Sequence, residues 1–137
     1  AVTEPETPSR GRLLLHDHRR RSFSVADISR LRLADAELAY VSSCSSGQPG
    51  HLLFDEAIHL ASSFQLAGFR QVIATLWLLQ DRVGAEFAER IYRHLCEAGP
   101  GGRAPDAATA VHLATLAVRE RYPNFPALWA GHLHVGP

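Results

Sequence analysis

Apolar residues along this chain gather either in short continuous runs or at helical spacing, and the two kinds of segment alternate. Leu38-Ala39-Tyr40-Val41 is a run of strand length, bounded by Glu37 and by the small polar string Ser42-Ser43-Cys44-Ser45-Ser46-Gly47. Its apolar side chains on both faces predict a central parallel strand, not an exposed edge. Over residues 54–69, Ala57, Leu60, Ala61, Phe64 and Ala67 recur at helical spacing, and Gly68 supplies a C-terminal stop. Residues 71–77 (QVIATLW) are rich in β-branched and aromatic types and predict the next strand. A strand, a helix of about 15 residues and a second strand make a right-handed crossover with a parallel pair, so the fold class is α/β.

The flanks extend these layers. Leu13-Leu14-Leu15 predicts a short buried strand that ends at His16-Asp17-His18 and Arg19-Arg20-Arg21. Ser24 is placed to cap one helical turn over Val25-Ala26-Asp27-Ile28, with Asp27 near the positive end of that turn. Asp81 can cap a helix whose inner face is Ala88, Ile91, Tyr92 and Leu95 and which closes at Gly99-Pro100. Pro105-Asp106 opens a further helix, with Ala107, Ala110, Val111, Ala114 and Val118 inward and Tyr122-Pro123 at its end. Residues 129–135 alternate and predict a last strand, while the polar residues 1–10 (AVTEPETPSR) are expected to form a flexible N-terminal segment.

Composition narrows the function. The 137 residues carry 14 basic and 14 acidic side chains and are 46% hydrophobic, enough for a real core and without a net charge to gather nucleic acid or a membrane surface. Every basic residue is Arg, and seven of them fall between Arg10 and Arg32 against Asp17 and Asp27. That predicts a solvated basic face, with a contact for an acidic partner as the alternative. No apolar stretch approaches the roughly 20 residues of a membrane span. Cys44 and Cys96 are too few for a disulfide framework, and a reducing, cytoplasmic compartment is the expectation. The chain has no Met, so processing and a start partway through a longer gene product both stay open.

Cys44 is the first candidate for chemistry. Ligands and catalytic groups of open parallel sheets gather beyond the carboxyl ends of the strands, where loops converge and helix N-termini point free N–H groups. Cys44 follows a strand by three residues, sits among small side chains and comes shortly before a glycine, which offers access, a rigid mount and backbone amides for an oxyanion. A cysteine that only packs in the core is the alternative. A phosphatase-type C-x5-R loop is excluded, because Gly50 stands where the arginine belongs. Cys96, near a helix C-terminus that disfavours a thiolate, is expected to pack. His16 with His18, and His132 with His134, alternate as metal pairs do, yet each pair lacks a third ligand. Capping or surface roles are expected for them, and no metal. His59 and His112 lie within helices, satisfied by their neighbours.

The strings LAYVSSCSSG at residues 38–47 and DEAIHLASSFQLAGFRQVIATLW at residues 55–77, followed by Asp81, resemble the C-terminal half of the CHAT-domain family of caspase-like cysteine peptidases. Cys-Ser-Ser-Gly also resembles their relatives the separases. The similarity runs from about Gly11 to the strand closing at Val135. Its motifs are a strand ending in Ser-x-Cys-x-x-Gly, a helix with Phe-Gln then Leu-Ala-Gly, and a strand ending in Leu-Trp with an acid four residues later. The resemblance implies a caspase-like three-layer sandwich, of which residues 11–137 form the C-terminal portion, a mainly parallel sheet flanked by helices. It also implies peptide-bond cleavage by a His–Cys dyad, with no metal and no organic cofactor. By position, Cys44 matches the nucleophile, and its backbone N–H matches an oxyanion donor. Ser42 falls where relatives line the pocket for the residue before the cut. Thr75, Leu76 and Trp77 match the edge on which an extended substrate pairs. Asp81 matches an acid that reads a basic substrate residue in some relatives, and serves equally as the helix cap above.

The chain departs from the family pattern at the base. In the family the catalytic histidine stands in a His-Gly pair upstream of the Leu13-Leu14-Leu15 region; no His-Gly pair occurs here, and none of the eight histidines matches it. Ser45-Ser46 replace a frequent Glu-Thr, and Leu78 a frequent proline or acid. The expectation is a cysteine endopeptidase half-domain that supplies the nucleophile and groove and takes its His-Gly segment from outside the chain. Its expected partners are a protein or peptide substrate and the missing N-terminal half, or a second copy. A catalytically inactive caspase-like interaction module is the alternative, and an unrelated α/β binding domain is the third.

Overall fold

The computed structural model describes residues 12–13, 16–17, 19–20, 23–42, 52–97 and 106–137. In chain order they form strands β1 (Arg12–Leu13) and β2 (Phe23–Ser24), helix α1 (Val25–Ser29), β3 (Leu38–Val41), α2 (Leu52–Ala67), β4 (Gln71–Thr75), α3 (Asp81–Glu97), α4 (Ala107–Arg121), α5 (Pro126–Trp129) and β5 (His132–Val135). The segment expected to be flexible, residues 1–10, lies outside the described residues, as do Leu14, Leu15, residues 43–50 and Gly99-Pro100. Among the described residues no helix is long and apolar enough to cross a membrane.

The crossover is realised as the periodicity requires. β3 and β4 pair in parallel from Leu38 with Gln71 to Val41 with Ala74, and α2 connects them. Gly68 ends α2 at φ +116°, a conformation that glycine adopts without steric cost. The turn is tight, since a Cβ on Gly68 would lie 2.3 Å from the carbonyl oxygen of Leu33, whose own N–H donates to Ala67 O at 2.8 Å. At the other flank, the Ser24 hydroxyl accepts from Asp27 N at 3.1 Å and the Asp27 carboxylate accepts from Ser24 N at 2.9 Å. The one-turn α1 therefore begins with a capping box, and Ile28 anchors it in the core against Leu60 and Ala67 of α2.

The sheet is mixed, with strand order β3-β4-β5, and not mainly parallel. β5 runs antiparallel to β4, Thr75 facing His132 and Val72 facing Val135. The cause is the point of entry. The chain leaves α4 and turns through α5, where the Trp77 indole N–H donates to Ala127 O at 2.7 Å, and Leu76 N–H donates to Gly131 O at 2.7 Å. The chain thus enters β5 beside the carboxyl end of β4 and can only run back along it. The same two bonds shorten the predicted 71–77 strand to Gln71–Thr75 and place Trp129 in a helix instead of a strand.

Helices cover both sheet faces. Ala39, Val72 and Ala74 pack with Ala61 of α2, and Val41, Phe64, Leu133 and Val135 join them. On the opposite face Ile73 packs with Val83, Phe87 and Ile91 of α3 and with Ala107, Ala110, Val111, Ala114 and Val118 of α4. The α4 stripe is the one the spacing predicts. The α3 face is rotated from expectation: Val83, Phe87 and Ile91 are buried, while Tyr92 is exposed. β3 is covered on both faces, which explains its apolar sequence, yet among the described residues it stands at an edge of the sheet and pairs with β4 alone.

One substitution type should act in opposite directions at two glycines. Gly68→Ala forces a Cβ into the Leu33 backbone at positive φ and should destabilise by ~2 kcal/mol or more. Gly84→Ala, within α3 and with nothing within 4 Å of the new methyl, should stabilise by ~0.5–1 kcal/mol. Urea midpoints of the two variants check both signs.

Candidate functional site

Parallel pairing sends the segments after Val41 and after Thr75 out of the same end of the sheet. The last registered pair is Val41 with Ala74, so one further step sets Ser42 beside Thr75, and Thr75 in turn faces His132. This row of three strand ends is the floor of the candidate site. Ser42 is exposed, Thr75 is buried, and Leu76 and Trp77 are half-buried in the bend that follows. Cys44, with the backbone N–H assigned to the oxyanion, lies outside the described residues; Ser42, two positions before it in the sequence, is the last described residue of this segment.

The rim continues along the bend toward α3. The Trp77 and Leu76 bonds fasten the bend to the α5 turn, and Gly131 allows the close approach, because a Cβ there would sit 3.1 Å from both the Trp77 ring and the Leu79 side chain. Leu76 N–H is thereby engaged by the chain's own Gly131. Beyond the bend opens a groove of about 480 Å³ lined by Gln80, Tyr122, Asn124, Phe125, Pro126, Ala127 and Leu128. Asp81 is the first residue of α3 and is exposed; the Val83 and Gly84 amides donate to Gln80 O, so the turn closes on Gln80. The Asp81 carboxylate makes no cap bond and no ion pair among the described residues; it is exposed and follows Gln80, which lines the groove.

Beneath the floor lies an aromatic cluster that spans the sheet. Tyr40 Oη and His132 Nε2 are 3.0 Å apart, linking β3 to β5 across β4. The His132 ring stacks on Phe87 of α3 at 4.0 Å, and Tyr40 meets Tyr92 edge-on at 5.9 Å. Burial pushes the His132 imidazole down to about 4, and burial with the nearby Tyr92 pushes the Tyr40 phenol up to about 12. Both groups are neutral at physiological pH. His134, on the same face, is lowered by burial, with Asp106 acting against the shift. His132 Nδ1, His134 Nε2 and Trp129 Nε1 are buried without a hydrogen-bond partner among the described residues.

Ser42, Thr75, Leu76, Trp77 and Asp81 thus follow the carboxyl ends of β3 and β4, but β4 is the central strand of the described sheet: Thr75 pairs with His132 and Leu76 N–H with Gly131 O, so these two residues are not a free edge on that side. His132 and His134 face the α3/α4 side of the sheet, half-buried, and are not the capping or surface groups expected of them. Their alternation along the last strand was the visible signal, but nothing local marks Tyr40 as a partner 92 residues away. Cys96 is exposed instead of packed, because the rotated face of α3 turns it outward. Among the described residues no group of three or more His, Cys, Asp or Glu side chains could hold a metal ion. Arg19, Arg20, Arg30 and Arg32 are exposed, as a solvated basic face requires.

Comparison with known proteins adds one match. The family model described as CHAT domain covers residues 1–137. No curated protein and no solved structure matches the chain.

The buried imidazole makes stability depend on pH in a stated direction. His132 has a folded value of about 4 against 6.5 unfolded, so its contribution is fully present above 6.5 and disappears as pH falls toward 4. The loss is ~3 kcal/mol over that window for the wild type. Tyr40 stays neutral throughout. His132→Gln, which cannot titrate but can bond Tyr40, should flatten this part of the slope in urea melts run between pH 7 and 4.

Proposed function

Because the chain belongs to the CHAT-domain family, we propose that it is the nucleophile-bearing part of a cysteine endopeptidase domain of caspase-like architecture. The observation that supports the proposal is the shared carboxyl end of the parallel β3–β4 pair, where Ser42, two positions before Cys44 in the sequence, follows the Val41–Ala74 pair. An extended peptide lies across the bend that follows Thr75, at Leu76 and Trp77, using backbone groups other than the Leu76 N–H that Gly131 already engages, and Ser42 flanks the pocket for the residue before the cut. Asp81 faces a basic side chain of the substrate. Its lack of any cap bond or ion pair among the described residues supports that role over a purely structural one.

The Cys44 thiolate attacks the scissile carbonyl, and the Cys44 N–H receives the developing oxyanion. The imidazolium of the base protonates the leaving amine, and a water molecule deprotonated by the same imidazole then hydrolyses the thioester. That imidazole comes from a His-Gly segment outside these 137 residues. No His-Gly pair is present, and His132, the histidine set into the floor, has its Nε2 committed to Tyr40. The edge of β3 that no described strand covers is where the complementary segment, or a second copy, pairs. The reaction takes place in the cytoplasm and uses no metal and no organic cofactor.

The absent His-Gly pair also favours one other function, a catalytically inactive module that binds proteins through the same rim. Co-expression with a complementary His-Gly segment separates the two. Cleavage of an Arg- or Lys-containing peptide should appear with the wild type and fall to background in Cys44→Ala. Asp81→Asn should reduce the preference for Arg over a neutral residue by about tenfold in kcat/KM, as loss of one exposed charge contact implies. Cleavage that survives Cys44→Ala eliminates the peptidase, and an unchanged preference in Asp81→Asn removes that residue from substrate recognition.

A further inference from the structure

We propose that Tyr40 and His132 act as a positioning clamp that fixes the carboxyl ends of β3, β4 and β5 against one another and against α3, at the level where Ser42 follows β3 and Thr75 ends β4. The inference rests on the peptidase proposal for its catalytic consequence and on the geometry for everything else.

Strands pair about 4.8 Å apart, so β3 and β5, on either side of β4, are separated by about 10 Å. Only a long side chain meeting another can bridge that gap. Tyr40 stands in the row with Ile73 and His134, whereas His132 stands one row nearer the rim, opposite Thr75. The phenol therefore reaches diagonally beneath Thr75 to its 3.0 Å contact. It crosses the central strand at the level where Ser42 and Thr75 lie side by side.

The ends of the clamp are themselves held. Phe87 stacks on the imidazole at 4.0 Å and an interplanar angle of 25°, which fixes the ring plane and ties α3, the helix that begins with Asp81, to the same histidine. Tyr92 contacts the Tyr40 ring edge-on at 61°. One imidazole, carried by β5, thus contacts both β3, through Tyr40, and the helix that begins with Asp81, through Phe87. β3 has no described strand on its outer side, so its carboxyl end is held laterally by the β4 ladder and by this bond. A core polar pair that merely stabilised the fold would have no reason to act at the rim more than elsewhere.

That difference supplies the test. Tyr40→Phe in the full chain keeps both ring contacts and deletes the hydroxyl. Amide hydrogen exchange should accelerate about tenfold at Thr75 and Leu76, with Val72 at the far end of β4 and Ala114 and Val118 in α4 within a factor of two of wild type. His132→Gln, which preserves a group able to bond Tyr40, should restore near-wild-type exchange at the rim, whereas His132→Leu should reproduce the Tyr40→Phe pattern. Uniform acceleration, or none, overturns the clamp. In the completed peptidase, Tyr40→Phe should lower kcat about tenfold with KM within twofold, as displacement of a reacting group implies. Rim-localised exchange with unchanged kcat also overturns it. If the wild-type complex cleaves nothing, the peptidase proposal fails, and the exchange pattern alone decides the clamp.

Discussion

Parallel pairing of two short strands is the constraint from which the rest of the molecule follows. Two parallel strands cannot be joined by a hairpin, so the chain must travel back along one face of the sheet before the second strand begins, and α2 is that return path. The return has to finish within a few residues, because Arg70 N–H bonds Ala36 O and Gln71 N–H bonds Glu37 O as β4 starts. Gly68 makes the turn possible, its missing side chain leaving room for the Leu33 carbonyl. In exchange, both strands deliver their carboxyl ends to one place. Polar groups at that end, from Ser42 to Asp81, then come together without any long-range recognition among them.

The two faces of the sheet are built differently, and the difference explains why the polar pair sits where it does. Toward α2 the buried contact residues are Ala39, Ala61, Val72 and Ala74, with Val41, Phe64, Phe69, Leu133 and Val135 packed beside them, an all-apolar set. Toward α3 and α4 the residues are larger, with Phe87, Ile91 and Val118 fully buried around Ile73. A Tyr and a His sit in that layer, where Phe87 stacks on the imidazole and their mutual bond replaces hydration at His132 Nε2. An imidazole so placed must be neutral, since charge in this environment would be opposed by desolvation with no carboxylate beside it.

How much of this was legible in the sequence depends on the range of the interaction that decides it. The Ser24–Asp27 capping box, the Gly68 stop and the five-residue inner stripe of α4 are local patterns, and each stands where spacing predicts it. α3 shows the limit. Its residues offer two neighbouring faces, one through Ala88, Ile91 and Tyr92 and one through Val83, Phe87 and Ile91, and only docking on a sheet that presents His132 selects the second. The direction of β5 and the short α5 depend likewise on Trp77 reaching a backbone carbonyl 50 residues away. For the candidate site, Ser42, Thr75, Leu76, Trp77 and Asp81 are assigned by family resemblance, and the sequence shows only that they follow strand ends, whereas the Tyr40–His132 pair depends on strand order, which no local pattern records.

The same burial that makes His132 a good structural group removes it from consideration as the catalytic base. A base that takes a proton from a thiol near neutral pH and then returns it to an amine works best when its own pKa lies near the working pH. At about 4, the His132 imidazole would be protonated in roughly one molecule per thousand at pH 7, and it would surrender its proton too readily to stabilise a thiolate. Its Nε2 is also occupied by Tyr40, and its Nδ1 is sealed from solvent. Proximity to the rim is therefore not enough; a base must be both solvated and close, and packing cannot give one imidazole both properties here. Under the proposed peptidase function, proton transfer therefore falls to a group other than this histidine, and the edge of β3 uncovered by any described strand is the surface proposed for the segment that carries it.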